Sequence, residues 1–125
     1  MVEENMDKES MKLRTKVFAR QIIMLCRQLP ESREGRLIGN QLFRAGTSVG
    51  ANYRAACRAR SRADFISKLS IVLEEADESE LWAEVADDRK WGKTEMRSWL
   101  INESRELRAI FSKAVMTARS NEPRR

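Results

Sequence analysis

Residues 36–60 read RLIGNQLFRAGTSVGANYRAACRAR, without a proline. Their apolar and small residues fall on two lines. One is Ile38, Leu42, Ala45, Val49, Asn52 and Ala56; the other is Gly39, Phe43, Gly46, Gly50, Tyr53 and Cys57. Steps of four and three put each line on one side of an α-helix, whereas a strand would alternate. A glycine inside a helix costs roughly 0.5–1 kcal/mol relative to alanine. Gly39, Gly46 and Gly50 share one line, so another backbone is expected to approach there. With two such lines, this helix is expected to be central and contacted on more than one side.

The rest of the chain has the same character. A first helix is predicted over about 8–29, with Asp7 as N-cap and the stripe Phe18, Ile22, Leu25, Leu29. Pro30 ends it by forcing the preceding residue out of the α region, and 31–35 reads as a turn before the helix at 36–60. Ser61 is the expected N-cap of a third helix over 62–88, striped by Phe65, Leu69, Val72, Ala76, Ser79, Ala83 and Ala86. Gly92 reads as its left-handed stop. Thr94 then caps a fourth helix over about 95–118, striped by Met96, Leu100, Glu103, Leu107, Phe111, Ala114 and Ala118. The polar tail 119–125 reads as frayed. Short links make helical neighbours antiparallel. The expected fold is all-α, an antiparallel up-down-up-down four-helix bundle forming a single domain over 1–125.

Composition agrees. Of 125 residues, 5 are glycine and 2 proline, with 42% hydrophobic and 34% charged. The start of the chain, Met1 to Ser10, is acidic and polar and lacks the basic and apolar stretches of an export signal. No stretch approaches the ~18 apolar residues of a membrane span, so a cytoplasmic protein without membrane contact is expected. Cys26 and Cys57 are isolated within helical patterns and read as small buried hydrophobes.

The absence of histidine removes the commonest general acid/base and transition-metal ligand. Two separate cysteines cannot build a four-ligand zinc site, and no phosphate loop or nucleophile elbow is present. The remaining acids, Glu74, Glu75, Asp77, Glu78 and Glu80, read as a solvated face or as salt-bridge partners. No catalytic residue, metal or cofactor is expected, and the chain is not read as an enzyme. Trp82, Trp91 and Trp99 read as partly core and partly subunit contact.

Charge is unevenly distributed. Residues 1–62 hold 13 Lys/Arg against 6 Asp/Glu, net +7, while 63–125 hold 11 against 13, net −2. Such asymmetry marks either a nucleic-acid face or two halves that attract each other. Arg54, Arg58, Arg60 and Arg62 concentrate the positive charge across a helix end and turn; the cluster reads either as a solvated or salt-bridged turn or as a phosphate-binding patch, which needs such guanidinium density. No aromatic is interleaved to stack bases, so sequence-specific reading is not expected. Along the second helix the polar residues Arg44, Thr47, Ser48 and Asn52 interrupt the apolar seam. Ser48 and Asn52 are expected to satisfy each other or nearby backbone, and a polar seam residue also fixes register or oligomer state. Arg44 is placed to pair with the acidic run.

The segments QLFRAGTSVGANY (41–53) and RSRADFISKLSIVLEEA (60–76) resemble the four-helix-bundle family of the 23S rRNA intervening-sequence proteins. Arg44, Ser48, Gly50, Asn52, Ser61 and Phe65 carry the resemblance, the Cys26-x-x-Leu-Pro30 end of the first helix fits it, and it covers about 12–118. It implies a closed homo-oligomeric ring, typically a pentamer, of antiparallel bundles. Some relatives are encoded inside ribosomal RNA genes; others assist the reverse transcriptase of diversity-generating retroelements and bind nucleic acid through basic surfaces. This chain departs where many members have Ala-Glu-Gly after the Asn block: it has Arg54-Ala-Ala-Cys57, which makes the patch more basic. The resulting expectation is a non-catalytic, ring-forming adaptor. It would bind RNA, DNA or a nucleoprotein partner through Arg54, Arg58, Arg60 and Arg62. The alternative is a structural or protein-interaction module that binds no nucleic acid.

Overall fold

The computed structural model describes residues 7–121. Within them the chain forms four helices, α1 (Lys8–Arg27), α2 (Arg33–Cys57), α3 (Arg62–Asp88) and α4 (Thr94–Ser120). They pack in sequence, α1 on α2, α2 on α3 and α3 on α4, while α1 and α4 meet sparsely. This is the expected four-helix bundle. The segments 1–6 and 122–125, including most of the tail read as frayed, lie outside the described residues.

The helix boundaries follow from local chemistry. Asp7 caps α1, its carboxylate accepting from the Glu9 N–H at 3.3 Å. The helix stops two residues before the expected Leu29: the Gln28 and Leu29 N–H groups donate to the carbonyls of Leu25 and Cys26, tightening the last turn ahead of Pro30. α2 starts three residues earlier than expected, because the Ser32 hydroxyl accepts from the Gly35 N–H at 3.0 Å and nucleates the first turn. Gly35 is needed there, since a Cβ would lie 2.9 Å from Pro30 Cγ and run into its carbonyl. At its other end α2 stops at Cys57, short of the expected Arg60. The chain must reverse before Ser61, and with no Gly or Pro available it spends Arg58–Arg60 on that turn. Ser61 is the expected N-cap of α3, accepting from the Asp64 N–H at 3.0 Å.

The α3–α4 connection corrects two expectations. The Lys90 N–H donates to Asp87 O at 3.1 Å and the Trp91 N–H to Ala86 O at 2.9 Å. That pair of bonds is a Schellman stop, and its left-handed position is Lys90 at φ 57°, not Gly92. Gly92, at φ 79°, is left-handed as well, two residues on, where a Cβ would collide with Leu25 Cδ1 at 2.6 Å. Thr94 is the first residue of α4 rather than its cap. The N-cap is Lys93, which supplies no side-chain cap; its own N–H is held at 2.8 Å by Oε1 of Gln28, the C-cap residue of α1.

The core contains every residue of the stripes read in α1 and α3, and those of α4 except the half-buried Met96. Each fully buried Phe, Ile or Leu contributes about 1.5–3 kcal/mol. The backbone expected against the α2 glycines is that of α1: Gly46 lies on Ile22 and Gly50 on Thr15. Phe43, placed on the same line, is instead 49% exposed, because close α1–α2 approach at Gly46 and Gly50 leaves no space for a phenyl ring between them. Both cysteines are free and half-buried, and Cys26 donates to Gly39 O at 3.5 Å. Burial pushes its thiol up to about 11.

Candidate nucleic-acid interface

The topology brings the start of α1, the end of α2, the start of α3 and the end of α4 to one end of the bundle. Arg54 and Arg58 stand one turn apart at the end of α2, Arg60 lies in the turn, and all three are exposed. Arg62 opens α3 and is half-buried; its guanidinium donates to the Asn121 carbonyl, tying α3 to the C-cap of α4. Arg119, exposed in the last turn of α4, joins them. Sequence reasoning missed Arg119, because only the packing of α4 beside α3 brings it to the cluster.

Three carboxylates stand at this end among the described residues. Glu9 is engaged by Lys12 at 3.2 Å and Asp64 by Lys68 at 2.9 Å, and that lysine holds Asp64 below the usual carboxylate range. Asp7 caps α1. Arg54, Arg58 and Arg60 form no ion pair among the described residues.

Along the bundle's flanks Arg20 and Arg27 of α1 are likewise exposed and form no ion pair among the described residues, but five other arginines behave otherwise. Arg14 grips Glu103 through two bonds of 2.7 and 2.8 Å. Arg44 takes Glu75 at 3.1 Å and Glu78 as well, the pairing expected for it. Arg97, 4% exposed, bonds Asp87 at 2.8 Å and the carbonyls of Trp91 and Gly92, stapling the α3–α4 hairpin. Arg105 and Arg108 converge on Glu80. Of the acidic run all but the exposed Glu74 are thus engaged in ion pairs, and Arg44 holds Glu78 below its ordinary pKa. Glu84 is shifted the other way, chiefly by its hydrogen bond with Glu80. It lines a cleft of about 460 Å³ with Asp87, Asp88, Asn102 and Arg105, which the sequence did not single out. No group of three or more Cys, Asp or Glu among the described residues is arranged to hold a metal ion.

The aromatic residues nearest the arginine end face inward. Tyr53, Phe65 and Phe111 are 0%, 1% and 0% exposed, and the Tyr53 and Phe111 rings pack at 5.5 Å. Trp82 and Trp91 are half-buried against the core; Trp99, 40% exposed, stands near the start of α4, away from the arginines.

A family model for 23S rRNA-intervening sequence proteins matches residues 8–113. The chain belongs to that family. A solved structure from Bacteroides thetaiotaomicron, described as a protein with unknown function from the S23 ribosomal protein family, superposes with a TM-score of 0.79 at 34% identity. It covers 89% of this chain and 99% of its own. No curated protein matches. In this chain the residues that carry the family pattern have mostly structural duties. Phe65 is core, Ser61 caps α3, and Arg44 clamps α2 to α3. A Cβ on Gly50 would stand 3.1 Å from Thr15 Oγ1. Ser48 and Asn52 do not satisfy each other's side chains. The Ser48 hydroxyl donates to Arg44 O at 2.6 Å and the Asn52 amide to Ser48 O at 2.8 Å, each bonding back one turn of α2. Both are half-buried on the outer side of the bundle.

Proposed function

We propose that this protein is a non-catalytic, homo-oligomeric adaptor of the cytoplasm that binds nucleic acid, or a nucleoprotein, through the arginine end of its bundle. The carrying observation is the contrast in how its arginines are used. Arg14, Arg44, Arg97, Arg105 and Arg108 are each matched to a carboxylate, while Arg54, Arg58 and Arg60 share one end and are exposed. Arg54 and Arg58 have no carboxylate partner among the described residues, while Arg60 stands near enough to Asp64 for its charge to help lower that carboxyl; exposed guanidinium groups of this kind are suited to phosphate, which they engage by bidentate hydrogen bonds.

Ring assembly, pentameric in the family resemblance, is supported by where large apolar side chains face solvent. Leu13, Met24 and Trp99 are exposed on α1 and α4; Leu37, Phe43, Ile71 and Leu81 on α2 and α3. Exposed apolar side chains on both helix pairs, with Met116 of α4 at 67% among them, are compatible with head-to-tail contact between different faces, which closes into a ring when the rotation permits. Light scattering of purified protein should give a multiple of the 14.5 kDa chain mass, and Phe43→Glu should lower it.

A salt-titrated binding assay with RNA and DNA tests the main reading. Affinity should be measurable at ~50 mM salt and fall steeply as salt rises, through counterion release; no binding, or binding indifferent to salt, sinks it. The pairing of Arg14, Arg44, Arg97, Arg105 and Arg108 with carboxylates favours a second reading, in which Arg54 and Arg58 pair across subunits. Arg54→Glu with Arg58→Glu would then break the oligomer, whereas under the first reading the mass is unchanged and nucleic-acid binding is lost.

A further inference from the structure

We infer that the arginine end takes the phosphate backbone of a duplex and neither reads its sequence nor prefers a single strand. This rests on the nucleic-acid reading above and specifies its ligand class. Single strands are held largely by bases stacking on exposed aromatic rings. At this end the rings are withdrawn: Tyr53, Phe65 and Phe111 are at most 1% exposed, and the exposed Trp99 lies near the other end of α4. What the end offers to solvent is the guanidinium groups of Arg54, Arg58, Arg60 and Arg119, beside the exposed thioether of Met116. Arg54 lies in the last turn of α2 and Arg58 is its C-cap residue, one turn on, while the half-buried Arg62 guanidinium is spent on the Asn121 carbonyl.

Shape points the same way. Four helices at interaxial distances of about 8–10 Å make an end face roughly 20 Å across. That face is wider than the ~12 Å major groove, so no helix from it can insert to read base edges. It can lie across a groove and touch phosphates on both rims. Over ~20 Å of axis a duplex presents about twelve phosphate charges and one of its strands about half that. A fixed cluster of arginines meets the denser array better. Because phosphate contacts position without specifying, the interaction is sequence-blind.

The test is fluorescence anisotropy on the full chain with ~20-nucleotide probes across a salt series: two unrelated DNA duplexes, two unrelated RNA duplexes, oligo-dT and oligo-U. Duplex should bind at least about tenfold tighter than either strand, with unrelated sequences of one type within about threefold. Arg54→Ala and Arg58→Ala should each weaken duplex binding on all sequences alike and lower the salt slope by about one. These residues have no ion-pair partner among the described residues, so both variants should keep wild-type helicity and mass. The DNA and RNA arms assign which duplex form is preferred, and a preference for either supports the inference. Single strands binding as well as duplexes, or a tenfold difference between sequences of one type, overturns it while leaving nucleic-acid binding standing. Silence from every probe at low salt removes the inference together with the function it rests on.

Discussion

Gly46 of α2 rests directly on Ile22 of α1: a Cβ built on the glycine would lie 2.6 Å from Ile22 Cδ1 and 2.7 Å from its Cγ2. Ile22 is fully buried and cannot swing away. Gly46→Ala should therefore force the two helices apart and destabilise by about 2 kcal/mol, typical of overpacking a core, despite alanine's better helix propensity. Gly39 is the control. Its Cβ would meet only Leu29 Cδ1, at 3.4 Å, so Gly39→Ala should stabilise by roughly 0.5–1 kcal/mol through propensity alone. Urea unfolding monitored by circular dichroism gives both signs.

Lys90 occupies the left-handed position of the α3 stop at φ 57°, where a side chain costs about 1 kcal/mol that glycine avoids. Lys90 is exposed and makes no ion pair among the described residues. Lys90→Gly should therefore raise the unfolding free energy by about 1 kcal/mol and the Tm by several degrees. A fall in Tm would mean that the Schellman geometry is not what ends α3.

The Arg14–Glu103 pair is lopsided. Glu103 is 8% exposed and sits in the core stripe of α4, whereas a third of the Arg14 side chain reaches solvent. Removing the arginine strands a buried carboxylate; removing the carboxylate frees an arginine that can turn to water. Arg14→Ala should cost about 2–3 kcal/mol, and Glu103→Leu, which fills the stripe with an apolar group, less than about 1 kcal/mol. Equal losses in equilibrium unfolding would argue that the buried position of Glu103 is not decisive.

Acid should weaken the α2–α3 clamp. Arg44 depresses Glu78 by hydrogen bonding and charge. A carboxylate whose pKa is lower in the folded chain contributes stability above its ordinary pKa, and that contribution is lost as pH falls through the depressed one. Stability should fall as pH drops below the ordinary glutamate range near 4.3. In Arg44→Ala the loss attributable to Glu78 should vanish, so the wild-type and variant unfolding curves converge in acid. Parallel pH profiles would exclude the clamp as the source.

The bundle was legible because its apolar lines obey one period throughout: the stripes read in α1 and α3 are buried without exception. Boundaries were less so, for reasons that lie outside the helix period. Ser32 starts α2 three residues early by capping, Arg58–Arg60 leave it because the chain must turn before Ser61, and Lys93 takes the N-cap place with its own N–H held by Gln28, far away in sequence. Lys90 could not be picked as the left-handed residue with a glycine two places on. Of the arginine site, the run Arg54–Arg62 was visible as local charge, but Arg119 arrives only through tertiary packing. That Arg14, Arg44, Arg97, Arg105 and Arg108 are consumed by carboxylates while Arg54 and Arg58 are not is a statement about distances, which no spacing rule contains.

The sparse meeting of α1 with α4 has a consequence for motion. Nearly all helix contact joins neighbours along the chain, so α1 is held on one flank by α2 and on the other by little beyond the Arg14 grip on Glu103 and the Gln28 bond to Lys93. Partial opening should therefore begin with α1 swinging out as a unit while the α2–α3–α4 layer persists. Its amide protons would exchange with solvent sooner than those of α3, which is flanked by well-packed helices on both sides.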